Sequence, residues 1–334
     1  MELVVVNGAN NIAKGVIRSL TQTGKYNKVR LLDFQAHRPS AYALQRELNA
    51  QGIEVEKILT QNAQALEIGM EGADKAVYFT HDYFSMVSCK NNFLIASAKI
   101  AKRQGLKQMI AVCPVEHDMA YSEDDKTWVE QRSDAEQEAL SANSGLSILN
   151  TDLVYGRNAS FLTHYMAQCA SVGSIKAEFL AENGAQFKPI NDADLSRAIA
   201  LGLDANVKGQ FALRGEDAVT TKELLGLIEQ SVGKEAGSTG AIREIPFFSP
   251  GRILEEFMTG ICQDTNMAQM VDTFNTSKAD PVTGDDFWTA VGSAPEEKLN
   301  DWFQGYKLDE EELVEHLSRP SFGSYKTSFG DNSA

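Results

Sequence analysis

The chain has 334 residues, of which 43% are hydrophobic and 23% charged, the composition of a globular protein and not of a disordered one. Its formal net charge of −15 repels phosphate backbones and anionic lipid, which excludes nucleic-acid binding as the default reading. No apolar run approaches the ~18 residues that would mark a transmembrane helix.

Residues 1–150 alternate short apolar runs with longer polar-periodic ones. The apolar runs are Leu3–Asn7, Lys28–Asp33, Gly52–Ile58, Lys75–Thr80, Gln108–Cys113 and Leu146–Thr151. Several are continuous, such as Leu3-Val4-Val5-Val6 and Met109-Ile110-Ala111-Val112. Continuous short runs predict strands buried on both faces, hence a parallel sheet. The intervening segments Asn10–Thr23, Ala41–Gln51, Asn62–Met70, Asn92–Gln104 and Trp128–Asn143 carry helical apolar spacing and are long enough for crossovers. Beyond Val154 the pattern loosens. Phe161–Ala170 predicts a helix and Phe211–Leu213 a strand, and Thr220 with Glu223 forms a capping box for a helix reaching about Val232. Ser293 before Ala294-Pro295 predicts a helix start, and Asp309 the cap of the last helix. The class predicted is α/β: a Rossmann-like doubly wound parallel sheet over residues 1–160, with returning segments 185–213, and a smaller, mostly helical C-terminal lobe with its tail over 161–334.

The four cysteines, Cys89, Cys113, Cys169 and Cys262, are scattered, and the five histidines have no metal-ligand spacing. That predicts neither a disulfide scaffold nor a metal site. No signal peptide or Arg-rich transit segment precedes the first apolar run, so none is expected to be used, unless the chain is already in its mature form.

Asn7-Gly8-Ala9-Asn10-Asn11-Ile12 lies between the first strand and the first helix, where backbone amides at a helix N-terminus hold a dinucleotide pyrophosphate. Of a Gly-x-x-Gly-x-x-Gly pattern only Gly8 is present. Asn11 stands second, where it is expected to keep a left-handed turn, and Lys14 stands third, where a glycine would allow close helix–sheet packing. A bulky residue at Gly8 is expected to block the pyrophosphate. Asp33 ends the second strand, 25 residues beyond Gly8. Its carboxylate is suited to an adenosine ribose and would repel a 2′-phosphate, whereas Arg38 nearby would favour one.

Further segments resemble the extended short-chain dehydrogenase/reductase superfamily. They are Gly72-Ala73-Asp74-Lys75-Ala76-Val77-Tyr78-Phe79, Val154-Tyr155-Gly156-Arg157, Pro189 to Ile199, and Gly209-Gln210-Phe211-Ala212-Leu213. The resemblance covers roughly residues 1–235 in order. It implies NADP(H) or NAD(H) as a structural ligand held by Gly8, Asn10, Asn11, Ile12, Asp33, Arg38, Thr80 and Arg132. That superfamily's chemistry uses a Tyr-x-x-x-Lys pair, which shares one helix face and passes a proton to or from substrate. No Tyr-x-x-x-Lys occurs in the chain. In the corresponding place Trp128 stands for the Tyr and Arg132 for the Lys, with Glu136 one turn on, and Cys113-Pro114 stands where a substrate-orienting Ser is usual. Indole has no titratable hydroxyl and Arg keeps its proton, so no catalytic residue is expected. Cysteine chemistry at Cys113 would need a base, and His117 is the nearby one.

Asp134-Ala135-Glu136-Gln137-Glu138 and Ser147 to Leu162 are similar to the non-catalytic, dehydrogenase-like accessory subunit of mitochondrial respiratory complex I. That resemblance implies a matrix-side location, partners among the other subunits of a membrane respiratory complex, and no membrane span of its own. The alternatives are an NAD(P)-sensing regulator of the NmrA type and an active extended reductase or epimerase. The aromatic clusters Phe247-Phe248, Phe287-Trp288 and Trp302-Phe303 make the region from Pro246 to about Pro320 the expected docking surface.

Overall fold

The computed structural model describes residues 1–8, 10–33, 39–60, 62–80, 87–114, 128–157, 166, 186–235 and 282–306. Five strand–helix units come first: β1 Glu2–Val6, α1 Asn11–Gln22, β2 Lys28–Asp33, α2 Pro39–Ala50, β3 Glu54–Leu59, α3 Ala63–Met70, β4 Lys75–Phe79, α4 Val87–Arg103, β5 Gln108–Pro114 and α5 Trp128–Ala142. Then come β6 Leu146–Thr151, β7 Val154–Tyr155, β8 Gln186–Phe187, β9 Ile190–Asn191, α6 Asp192–Ala205, β10 Gly209–Leu213, β11 Val219–Thr220 and α7 Thr221–Ser231. Short elements complete the described chain: β12 Asp285–Asp286, α8 Phe287–Val291 and α9 Leu299–Gly305.

The main sheet has eight strands in the order β12-β10-β6-β5-β4-β1-β2-β3, every pairing parallel. The order reverses between β1 and β4, the switch point over whose carboxyl edge such sheets bind ligands. Alternation along each strand divides the core. Leu3 and Val5 pack with α1, α2, α6 and α8 through Ile17, Leu44, Leu203 and Phe287 on one face. Val4 and Val6 pack with α3, α4 and α5 through Met70, Ala98 and Ala139 on the other.

Side-chain caps set the helix starts. Asn10 opens α1, Asn62 α3, Asn191 α6 and Asp286 α8, each accepting a first-turn N–H, and α7 carries the expected Thr220/Glu223 capping box.

Three expectations change. Gly52 sits at φ +82° in the turn before β3, so the strand begins at Glu54. The helix start at Ser293 does not form. The Asp194 carboxylate accepts Glu296 N–H at 3.0 Å and Glu297 N–H at 2.9 Å, Asp217 accepts Leu299 N–H at 2.8 Å, and the helix begins at Leu299. The sheet also takes in β12 and α8, from residues assigned by spacing to the lobe. The expected helix Phe161–Ala170 and the cap Asp309 lie outside the described residues, apart from Met166.

Candidate functional site

The chain leaves β1 through Asn7, whose φ of +59° is left-handed, a conformation asparagine tolerates. Asn7 N–H donates to Leu32 O at 2.7 Å and its Nδ2 donates to Phe79 O at 2.6 Å. One residue thus ties the tips of β2 and β4 to β1 at the switch point. The left-handed turn falls on Asn7 and not on Asn11, which is already helical.

Gly8 follows. A Cβ there would lie 3.1 Å from Leu31 Cδ2 and 3.2 Å from Val5 Cγ1. Gly8 therefore lets the turn lie close on β1 and β2. A Cβ at Gly8 would press on Leu31 and Val5, so the glycine has a packing role beside the expected one of leaving room for the pyrophosphate. The third-glycine position is also resolved by packing: Ala13 is fully buried in the core while Lys14 is only half-buried, so the small residue that brings α1 close to the sheet is Ala13.

Asn10 caps α1 through Oδ1, which accepts Ala13 N–H at 2.6 Å. The N–H groups of Asn11 and Ile12 stand in the first turn, where a helix offers no internal acceptor and the positive end of its dipole. Ile12's side chain is buried in the core, so only its backbone can face a ligand. Asn10 Nδ2 is buried with no hydrogen-bond partner among the described residues. A donor in that state at a helix N-terminus fits an anion. Asp33 is 3% exposed at the tip of β2 and its carbonyl accepts Thr60 N–H at 3.1 Å. Thr80, at the tip of β4, gives both its N–H and its hydroxyl to Val112 O, at 3.0 and 3.3 Å. Arg38 lies outside the described residues.

The expected catalytic slot is filled differently from the expectation for Arg132. Arg132 is buried, and its Nε donates to Glu136 Oε1 at 2.7 Å. Its Nη2 donates to Cys113 O at 2.9 Å and to Asn150 Oδ1. Glu136 Oε2 accepts Asn150 Nδ2 at 3.1 Å and Gln210 Nε2 at 2.6 Å. Gln210 and Asn150 both reach Thr283 Oγ1, at 2.8 and 3.2 Å. The guanidinium expected to help hold a dinucleotide is thus engaged by a buried network that joins α5, β5, β6 and β10 to the segment preceding β12. The i, i+4 spacing of Arg132 and Glu136 is visible in the sequence. Asn150, Gln210 and Thr283 carry no local signal, because they meet only through the sheet register. Trp128 begins α5; its side chain and His117 lie outside what is described.

Tyr155 lies in β7, four residues after the end of β6. It is fully buried and donates to Glu297 O at 3.2 Å. Burial pushes its phenol well above the usual range, and Asp194, Asp217 and Glu297 push it further. It therefore stays a neutral phenol near pH 7, with no phenolate to offer as a base. Gly156 beside it has φ +135°, and a Cβ there would overlap the Asp192 carboxylate, so the Val-Tyr-Gly-Arg segment is fixed by packing. Among the described residues no cluster of ligating side chains suits a metal, and no helix is long and apolar enough to cross a membrane.

The aromatic clusters expected to dock a partner are turned inward where they are described. Phe287 and Trp288 are buried, with Trp288 Nε1 donating to Arg214 O at 2.8 Å. Phe303 is buried, and Trp302 stacks on Tyr306 with ring centroids 4.4 Å apart. Phe247-Phe248 lie outside the described residues.

No family model and no curated protein matches the chain by sequence. Solved structures match the fold over nearly their whole length. A dTDP-glucose 4,6-dehydratase from Streptomyces venezuelae, with NAD bound, is 17% identical with a TM-score of 0.59, covering 85% of this chain and 100% of its own. A nucleoside-diphosphate-sugar epimerase from Staphylococcus aureus is 12% identical at 0.64, covering 91% and 100%. A triphenylmethane reductase from Citrobacter sp., complexed with NADP(H), is 15% identical at 0.64, covering 91% and 99%. The Rossmann-like architecture is therefore one shared with proteins solved with nicotinamide dinucleotides.

Proposed function

We propose that this chain binds NAD(H) or NADP(H) over the β1–α1 turn without turning it over, as a dehydrogenase-like accessory subunit of a larger assembly. Respiratory complex I is the assembly to which the sequence resemblance points. The observation that carries the non-catalytic reading is the buried network around Arg132. Where a proton-transfer pair would stand, the described groups are an arginine that keeps its proton and a carboxylate saturated by Arg132, Asn150 and Gln210. A bound dinucleotide would supply hydride exchange at its nicotinamide ring. This chain's own contribution is binding: the α1 N-terminus and Asn10 toward the diphosphate, and Asp33 toward the adenosine ribose.

Two measurements test this. Purified protein should oxidise NAD(P)H with carbonyl or nucleotide-sugar substrates far more slowly than ~1 per second, the low end of ordinary turnover; a rate at or above that rejects the non-catalytic reading. Tagged protein purified from organelles in mild detergent should co-migrate with a respiratory complex, and its recovery only as a free species rejects the subunit reading.

The second reading is an active extended reductase or epimerase. It is favoured by the likeness to a dehydratase, an epimerase and a reductase across 85–91% of the chain. It requires turnover by groups other than a Tyr-x-x-x-Lys pair, and the same NAD(P)H assay decides it.

A further inference from the structure

An open sheet has two edges, and an uncovered edge strand presents unpaired N–H and C=O groups to any second strand. At one edge of the main sheet β12 is two residues long, Asp285–Asp286, and both are exposed. So short and acidic an edge offers little to pair with. At the other edge stands β3, six residues from Glu54 to Leu59, paired along one side with β2. Glu54 N–H donates to Asn27 O at 3.0 Å and, just beyond the strand, Thr60 N–H donates to Asp33 O at 3.1 Å. The even-numbered residues therefore turn their backbone groups toward β2. Val55, Lys57 and Leu59 alternate with them and turn theirs to the open side.

α2 covers the start of that open side. Its tight return into β3, through Gly52 at φ +82°, brings the end of the helix beside Val55. Asn49 Oδ1 accepts Val55 N–H at 3.2 Å, and Gln45 Nε2 donates to Val55 O at 2.8 Å. One acceptor and one donor meet Val55 as a neighbouring strand would. Tyr42, Gln45 and Asn49 recur at helical spacing and so share one flank of α2, while Leu44 and Leu48 attach the same helix to the core. The Lys57 ammonium sits 2.7 Å from the centroid of the Tyr42 ring, and Lys57 Nζ is buried without a hydrogen-bond partner among the described residues. Any strand that joined this edge would have to displace that cation or bury it deeper.

We propose that the flank of α2 carrying Tyr42, Gln45 and Asn49 is an edge cap, which prevents a second copy of this chain from pairing its own β3 against this one. A second copy is the matching strand because an edge paired antiparallel with itself is self-complementary. Centred on Lys57, such a pairing sets Val55 of each copy opposite Leu59 of the other and uses all three outward-turned residues. Lys57 then meets its own counterpart, and like charges directly opposite one another oppose pairing. The cap withdraws Val55 from this pairing and holds the charge at its centre. It acts whether or not a dinucleotide is bound.

The test is analytical ultracentrifugation of the full chain carrying Gln45→Ala with Asn49→Ala, over a concentration series beside the parent and below the melting temperature of both. The double variant should self-associate at least ~10-fold more tightly than the parent. Its amide hydrogen exchange over residues 54–60 should slow as its concentration rises. Adding Lys57→Pro removes an N–H that does not face β2 and should return the mass to that of the parent. Where the proline variant does not fold, the exchange map decides alone. Gln45→Met keeps side-chain length and helix propensity but loses the donor; it carries the test, with a smaller increase, if the double variant does not fold. Association no tighter than the parent's overturns the proposal. So does association that survives Lys57→Pro or that slows exchange only outside residues 54–60. A parent whose own exchange over 54–60 slows with concentration overturns it as well.

Discussion

Arg132 and Glu136 show how a residue that looks chemical by position is made structural by its partners. Their side chains are 7% and 2% exposed and 2.7 Å apart. Breaking such a pair from one side leaves a buried charge uncompensated, so Glu136→Leu should destabilise the fold by about 3–5 kcal/mol in urea titration. Arg132→Met with Glu136→Leu should cost clearly less than Glu136→Leu alone, and an equal or larger loss would mean that the pair is not the centre of the network. Gly156→Ala combines a left-handed backbone with overlap on Asp192 and should cost more than ~1 kcal/mol, measured the same way. The site is only partly legible in the sequence. The turn after the first strand and the Arg132 slot follow from spacing. The direction a Gly8 side chain would take, the left-handed angle at Asn7 and the acceptors of Arg132 do not, because each is decided by residues distant in the chain: Leu31, Leu32 and Asn150.

At the scale of elements, local chemistry and tertiary contacts can be separated. β2 and β6 match the runs Lys28–Asp33 and Leu146–Thr151 residue for residue; β6 is buried along its whole length, whereas in β2 the half-buried Lys28 and Arg30 alternate with the buried Val29 and Leu31. The capping box of α7 is likewise local: Thr220 and Glu223 satisfy each other's backbone N–H groups. Those backbone and side-chain hydrogen bonds hold the Glu223 carboxyl below its ordinary value. Thr220→Ala should cost about 1 kcal/mol of stability, and the loss should shrink in acid as Glu223 protonates and its own half of the box weakens. The start of α9 is the opposite case. Ser293-Ala294-Pro295 has the local signature of a helix N-terminus, yet Asp194 and Asp217 take the N–H groups of Glu296, Glu297 and Leu299, and Ser293 Oγ accepts from Arg197 at 3.0 Å. No window of neighbouring residues contains that information.

Across the whole molecule, two buried phenols stand at opposite edges of the sheet and set a common limit on its stability. Tyr26 lies in the turn before β2, at the amino edge, packed in the core. Burial, and then the nearby Asp204 and Asp74 carboxylates, push it from 10.0 to about 12. Tyr155 lies past β6, at the carboxyl edge, and joins the sheet to the C-terminal segment. It donates to Glu297 O and packs its ring against Trp302 and Phe303, with centroids 5.4 and 6.3 Å away. Burial raises it further still. Both groups fold as neutral phenols, and the unfolded chain ionises them first. Their contribution is therefore complete below about pH 10 and is lost as pH rises from there toward the folded-state values. Stability against urea should fall through that window. Tyr26→Phe keeps the packing and removes one ionisation, so it should flatten the alkaline fall while changing neutral-pH stability little. Tyr155→Phe should flatten it too, but at neutral pH it should also lose the Glu297 hydrogen bond, about 1 kcal/mol. An alkaline fall of unchanged steepness in the double variant would show that the two phenols do not govern it.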